Sequence, residues 1–295
     1  MPITFANSIA SFDVEEHFRI EAAVGLEIAP ETKQDHSRRM EAATRRLLEQ
    51  LAEHSAKATF FIVGEIARSC PALIRAIHDA GHEIGSHSWD HRMVHRFDCD
   101  SFREDLLRSR DTLEQVSGSA VVGFRAPTFS INRATPWAID VLAECGFEYD
   151  SSIFPVRHDR YGIPEAPRGP FLALGREREI LELPPLTYRL PGINLPVAGG
   201  GYFRLFPLGM MRAGLGQAAR SPSPSVGMLY FHPWEFDPDQ PRLPLNRLAR
   251  WRTYVGMRRT TARLGSLLKA YPFRRAIDVV REIRASGISL VKFPL

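Results

Sequence analysis

Residues 58–91 read ATFFIVGEIARSCPALIRAIHDAGHEIGSHSWDH. Ala58–Val63 is a short apolar run rich in β-branched and aromatic side chains, the pattern of a buried strand. Pro71–Ala80 has helical periodicity; Pro71 suits a first helical turn, and Gly81 suits its end. Glu83–His87 returns to strand character. A strand, a helix and a second strand in so few residues imply a parallel pair with its crossover helix packed on the sheet.

The same rhythm extends both ways. Ile3–Asp13 reads as a strand with a polar end. His36–His54 reads as a helix with Met40, Ala43, Leu47, Leu48 and Leu51 on one face. A helix over Ser101–Val116, a strand over Val121–Arg125, a helix over Thr135–Glu144 stopped by Gly146, and a strand over Phe147–Ile153 follow. The class is α/β, with parallel strands and helices outside them. Pro155–Pro207 is different: it is rich in Pro and Gly, with only short strand-like pieces such as Glu179–Leu183. Such insertions in a regular unit are usually functional loops. Gly199-Gly200-Gly201 lacks a Walker lysine and a following helix start, so it reads as a tight turn near the site. A strand over Gly227–His232 precedes long helices over Leu245–Tyr271 and Arg274–Ser286. The expected organisation is one domain over 1–295, with its core at about 8–240 and a helical extension over 241–295.

Composition excludes several classes. The 295 residues carry 38 basic and 34 acidic side chains, a net charge of +4, and 44% are hydrophobic. That argues against disorder, and no run of eighteen apolar residues suggests a spanning helix. The basic excess is small and scattered, which gives no case for nucleic acid. Arg38-Arg39, Arg45-Arg46, Arg258-Arg259 and Arg274-Arg275 read first as solvated helix faces, with a polyanion or membrane surface as the competing reading. Cys70, Cys99 and Cys145 are odd in number and contain no CxxC, so neither a disulfide framework nor a cysteine zinc site is expected. Asn7, Ser8 and Asp13 interrupt the apolar N-terminal stretch, and a cytoplasmic location is the expectation.

In an α/β barrel, reacting groups gather where strands end. Here those ends carry Asp13-Val14-Glu15-Glu16-His17, His87-Ser88-Trp89-Asp90-His91, Arg125-Ala126-Pro127, Asp150-Ser151-Ser152 and His232-Pro233-Trp234-Glu235. On a helical turn, His87 and His91 would face the same way and share a metal, and a carboxylate from a neighbouring strand would leave open positions for water. Alone, HxxxH is a weak signal. Asp13 as a helix cap, Arg125 in a surface ion pair, Asp150 in a turn and His232 in the core are the competing readings.

The ordered motifs DVE, HSxxH, RAP, YDSS and YFHPWE resemble the polysaccharide deacetylase family with NodB homology, carbohydrate esterase family 4. GFRAPTFSI, YDSSIFP, GGGYFRLFP and YFHPWEFDP resemble the subgroup associated with exosortase and exopolysaccharide loci. The likeness runs from about residue 8 to 275. It implies a distorted (β/α)7 barrel and a hydrolase that removes N-acetyl groups from amino sugars of a polysaccharide or its precursor. Carried over, Asp13 matches the catalytic base and Arg125 the residue orienting it. Glu15, His87 and His91 match the ligands of a divalent metal, with zinc first and cobalt, nickel or iron also accommodated. His232 matches the general acid, and Asp150 the acid orienting it. Thr128 offers a backbone N–H to the oxyanion, and Trp89, Trp234 and Tyr202 are candidates to meet the sugar.

Two positions depart from the family pattern. The first motif has Asp13-x-Glu15 where two adjacent aspartates are commoner, so Glu16 stays open as an alternative ligand. Thr128 replaces the usual aromatic residue after the third-motif proline, with Phe129 left to supply that wall. The expected partner is an N-acetylated glycan or glycan precursor, and the oligomeric state is open. Two other readings remain: a small-molecule amide or cyclic-ureide hydrolase of the same fold, and a catalytically inactive glycan-binding barrel.

Overall fold

The computed structural model describes residues 7–221 and 224–295; residues 3–6 of the expected first strand lie outside them. Strand β1 (Asn7–Val14) is followed by two short 3-10 turns and helix α1 (Pro30–Glu53). Then come β2 (Thr59–Ile62), α2 (Gly64–Ser69), α3 (Pro71–Asp79), β3 (Glu83–Ser86), α4 (Cys99–Ser117), β4 (Gly123–Phe124), α5 (Trp137–Glu144) and β5 (Tyr149–Asp150). The expected elements of this half are present, with shorter β4 and β5. Helix α2 was not foreseen; the carbonyls of Ser88 and Trp89 accept the N–H groups of Gly64 and Glu65 at its start.

The middle of the chain contains the antiparallel pair β6 (Phe171–Leu174) and β7 (Glu179–Glu182), then a separate hairpin of β8 (Thr187–Leu190) and β9 (Ile193–Pro196). Helices α6 (Gly200–Leu205) and α7 (Leu208–Ala219) lead to β10 (Val226–Phe231). The glycine run is therefore a helix start and not only a turn. Gly199 is required because a Cβ there would lie 1.6 Å from the Tyr230 carbonyl oxygen. The rest is α8 (Arg247–Tyr254), α9 (Thr260–Leu268), β11 (Phe273–Arg274), α10 (Ala276–Ala285) and β12 (Lys292–Pro294). The single helix expected over Leu245–Tyr271 is broken at Gly256. This residue has φ +74, and a Cβ there would sit 2.6 Å from the Arg204 carbonyl.

The strand order is β10-β1-β2-β3-β4-β5-β7-β6-β12, and every neighbouring pair from β10 through β7 is parallel. After β7 the chain swings back onto β10, where Leu186 N–H donates to the Met228 carbonyl at 2.9 Å. The sheet thus curls into a distorted α/β barrel.

Alternation along β1 sorts its side chains. Ala10, Phe12 and Val14 pack outward with Met40, Leu47 and Leu51 of α1, and Ile9 packs inward with Phe61, Tyr149, Leu181 and Met228. Each such buried Phe contributes about 1.5–3 kcal/mol. Helix α10 covers the end where the strands begin: the N–H groups of Ala276 and Ile277 donate to Thr59 Oγ1 and Glu83 Oε2. The opposite end, where the strands finish, stays open to the polar residues of the strand ends.

Candidate active site

Inward positions on β1 become polar toward its end, from Ile9 to Ser11 to Asp13. Arg125, fully buried, fills the space between them. Its Nη1 donates to Asp13 Oδ1 at 2.7 Å and to Ser11 Oγ at 2.8 Å, and its Nε donates to the Ser151 carbonyl at 3.1 Å. The Phe61 ring lies 4.3 Å below the guanidinium. A planar fork with several fixed donors holds the Asp13 carboxylate in one orientation, which a lysine could not do.

His87 and His91 are not on a helical turn, contrary to expectation. They flank a loop after β3 in which Ser88 and His91 both have φ +67. Asp105 of α4 holds that loop, accepting from Ser88 Oγ at 3.1 Å and Trp89 N–H at 3.0 Å. Burial pushes the Asp105 carboxyl up to about 6. His87 Nδ1–H donates to the Arg125 carbonyl at 2.7 Å, which turns Nε2 toward the hollow. Burial first of all pushes His87 down to about 4, so it is neutral and fit to ligate. His91 Nε2 contacts Glu15 Oε2. One donor atom each from Glu15, His87 and His91 lies within 4.8 Å of the others. Burial works against the charge on Glu15, but the neighbouring His91, His232 and His87 outweigh it and hold its carboxyl well below the usual range. Two imidazoles and a carboxylate this close fit a divalent cation. Glu16 points elsewhere: it accepts from Arg19 Nε at 2.5 Å and Ser37 Oγ at 3.2 Å.

His232 faces this group from the end of β10. Its Nε2 is 3.9 Å from both Asp13 Oδ2 and Glu15 Oε1. The residue orienting it is not Asp150. His232 Nδ1–H donates to Glu235 Oε1 at 2.7 Å, and Arg204 Nε donates to Glu235 Oε2 at 2.6 Å. Burial lowers the basicity of His232, but the bond to Glu235 and the charges of Glu15, Glu235 and Asp13 override it, lifting it to about 9. The sequence did carry a signal for Glu235. His-x-x-Glu has capping-box spacing, and the Glu235 carboxylate also accepts the His232 backbone N–H at 3.1 Å. Asp105 left no comparable signal, being one of several acids along α4.

Asp150 instead supports the third motif. It accepts from Ser152 Oγ at 2.5 Å, and that hydroxyl accepts the Ala126 N–H at 2.8 Å. Burial, above all, pushes Asp150 up to about 6 and Glu182 well above the carboxylate range. Asp150 Oδ2 and Glu182 Oε2 have no other partner among the described residues, an arrangement satisfied when Glu182 keeps its proton and gives it to Asp150. Thr128 and Phe129 follow in the left-handed region, at φ +56 and +51. Such strain costs about 1–3 kcal/mol per residue and is found where function requires it.

The open hollow has a volume of about 160 Å³, and its walls include Asp13, Glu15, His87, His91, Thr128 and His232. Phe129, Tyr161, Tyr230 and Trp234 supply aromatic walls. Trp234 Nε1 also donates to Glu15 Oε1 at 3.1 Å, and its ring stacks on His232. Trp89 does not reach the hollow; it is buried with the Arg108 guanidinium 3.8 Å over its ring. Tyr202 is not part of the wall either; it bonds to Tyr161, which is.

Fold and hollow together define the class as an α/β barrel with a candidate metal site at its strand ends. Comparison with known proteins agrees. The Polysaccharide deacetylase family matches residues 34–149, and a domain of unknown function, DUF3473, matches residues 151–281. The polysaccharide deacetylase match thus takes in β2, β3 and β4 with their helices, and the second match takes in the rest of the barrel up to residue 281. It is 32% identical over 84 residues to a peptidoglycan-N-acetylglucosamine deacetylase of Bacillus cereus, covering 28% of this chain and 30% of that one. The chain thus spans under a third of that relative's length. Among solved structures, a "probable polysaccharide deacetylase" of Pseudomonas aeruginosa PAO1 superposes with a TM-score of 0.65 at 17% identity, over 95% of this chain and 91% of the other. The Puue allantoinase has the same TM-score and identity, over 97% and 92%. At such identities the likeness is one of fold.

Proposed function

We propose that the protein is a metal-dependent N-deacetylase acting on N-acetylated amino sugars of a polysaccharide or its biosynthetic intermediate. One observation carries the reading. His232 Nε2 lies 3.9 Å from Asp13 Oδ2 and from Glu15 Oε1, so a cationic imidazole and an oriented carboxylate face one hollow beside a three-donor metal set.

Glu15, His87 and His91 would hold the cation, with zinc the first choice for this donor set. When bound, a divalent ion supplies Lewis-acid polarisation and makes water a nucleophile near neutral pH. Asp13, held by Arg125, accepts the proton of the water that adds to the acetamide carbonyl carbon. The Thr128 N–H donates to the oxygen that gains charge, a contribution typically about 3 kcal/mol. His232 Nε2 gives its proton to the nitrogen as the C–N bond breaks. Acetate and a free amine leave. The Nδ1–H bond to Glu235 keeps Nε2 directed inward throughout.

The test is acetate release from N-acetylglucosamine oligomers by the purified protein, with and without chelator. Asp13→Asn and His232→Ala are expected to lose activity by about 10² or more. Unchanged release in both variants defeats the mechanism. Ring opening of allantoin in a parallel assay would move the substrate class to cyclic ureides. A cytoplasmic location is a separate proposal, tested by cell fractionation.

A further inference from the structure

The segment from residue 240 to residue 277 holds ten basic side chains and no acidic one, while the remaining chain has 28 basic against 34 acidic. Charge is therefore strongly polarised although the total is only +4. Helix α8 lies in this segment and reads RLARWRTY. Thr253 is its buried residue, and Leu248 and Trp251 are 58% and 55% exposed. At about 100° per residue, Leu248 and Trp251 sit side by side, opposite Thr253. Arg247 flanks them on one side and Arg252 on the other. Arg247, Arg250 and Arg252 form no ion pair among the described residues, unlike Arg258, which lies 3.3 Å from Asp239.

We propose that this face of α8 docks the protein on an anionic lipid bilayer. A lone exposed leucine needs no explanation, but an exposed Leu–Trp pair flanked by unpaired arginines has the form of an interfacial helix. The apolar pair enters the acyl boundary, the indole sits at headgroup level, and the arginines meet lipid phosphates. Each arginine near such a surface raises partitioning by about fivefold. The position of α8 gives the docking a consequence. Leu248, Arg252 and Thr253 line a second cavity of about 330 Å³, which shares Ile20, Glu21, Tyr161 and Trp234 with the catalytic hollow. A docked molecule holds that cleft beside the membrane, so glycan presented at the bilayer is within reach. This last consequence rests on the proposed deacetylase function; the docking does not.

Co-sedimentation of the full chain with phosphatidylcholine–phosphatidylglycerol vesicles tests the docking, with pure phosphatidylcholine vesicles alongside. Binding to the anionic vesicles is expected to be at least about tenfold stronger and to weaken with salt. A blue shift of tryptophan emission should accompany binding and vanish in Trp251→Ser. Both Trp251→Ser and the pair Arg247→Gln with Arg252→Gln should reduce binding by about fivefold or more. Equal affinity for neutral vesicles, or none for either, overturns the proposal whatever the variants do. Binding without an emission shift overturns it as well, because it needs no apolar entry. A concentration-dependent dimer in sedimentation velocity that is lost in Trp251→Ser would assign the face to a second copy instead. Trp251→Ser should still release acetate from soluble oligomers at the wild-type rate, so failed docking and failed deacetylation give separate readouts.

Discussion

Glu235 Oε1 accepts the Nδ1–H of His232 at 2.7 Å, and the imidazole behind that bond is lifted to about 9. Burial alone would have driven this histidine the other way. The Arg204 guanidinium at the far oxygen of Glu235 keeps the carboxylate ionised, so the chain Arg204–Glu235–His232 delivers a proton donor from β10 to the hollow.

Glu235→Gln removes the charge and should lower the pKa of His232. A general acid works while protonated, so activity falls as pH rises through that pKa. The alkaline limb of the pH–rate profile should therefore move to lower pH by about one unit or more, with a rate loss of about 10² at pH 8. If Asp150→Asn shifts the limb and Glu235→Gln does not, the orienting role belongs to Asp150 after all.

Arg125→Ala leaves Asp13 buried without its partner. Breaking such a pair costs about 3–5 kcal/mol, against about 1 for an ordinary exposed pair. Urea unfolding should show that loss, and Asp13→Asn in the same chain should recover part of it. Equal stability of Arg125→Ala and the parent would show that the pair is dispensable to the fold.

Glu15→Gln should weaken zinc binding by about 10² or more in competition with a chromophoric chelator, and Glu16→Gln should leave it unchanged. Asp105→Ala, which frees the loop carrying His87 and His91, should weaken it by about tenfold. A reversed order for Glu15 and Glu16 would transfer ligation to the residue bonded here to Arg19.

Asp150 and Glu182 give the fold a pH dependence of defined sign. Their folded pKa values are raised, so the folded chain binds protons more tightly than the unfolded one. The contribution is complete below the ordinary carboxylate range and is lost as pH rises to about 6 and beyond. Glu182→Gln should flatten this part of the curve, read as urea midpoints across a pH series. A midpoint that falls as steeply in the variant as in the parent removes the pair from the account.

Much of the barrel was legible because local periodicity reports burial. Ala58–Val63 and Pro71–Ala80 could be read alone, since an apolar run and an apolar stripe each demand a matching surface. The site was legible as strand ends: Asp13, His87, Arg125 and His232 sit where parallel strands finish. Less legible were the partners. His87 and His91 looked like a helical pair, but the loop between them is held by Asp105 from another element. The helix expected over Leu245–Tyr271 ignored Gly256, whose conformation answers to the Arg204 carbonyl. Trp89 looked available to a sugar until Arg108 was seen to cover it.

The amino-acid order by itself determined the alternation of strand and helix, the polar strand ends and the ordered motifs, because these depend on neighbours a few residues apart. Tertiary structure alone decided that Glu235 and not Asp150 holds His232, that Glu15 and not Glu16 joins the two imidazoles, and that Asp150 is buried beside Glu182. Those choices turn on which side chains meet across a curled sheet. A hydrogen bond or an ion pair is felt over a few ångströms of space, whatever the distance along the chain.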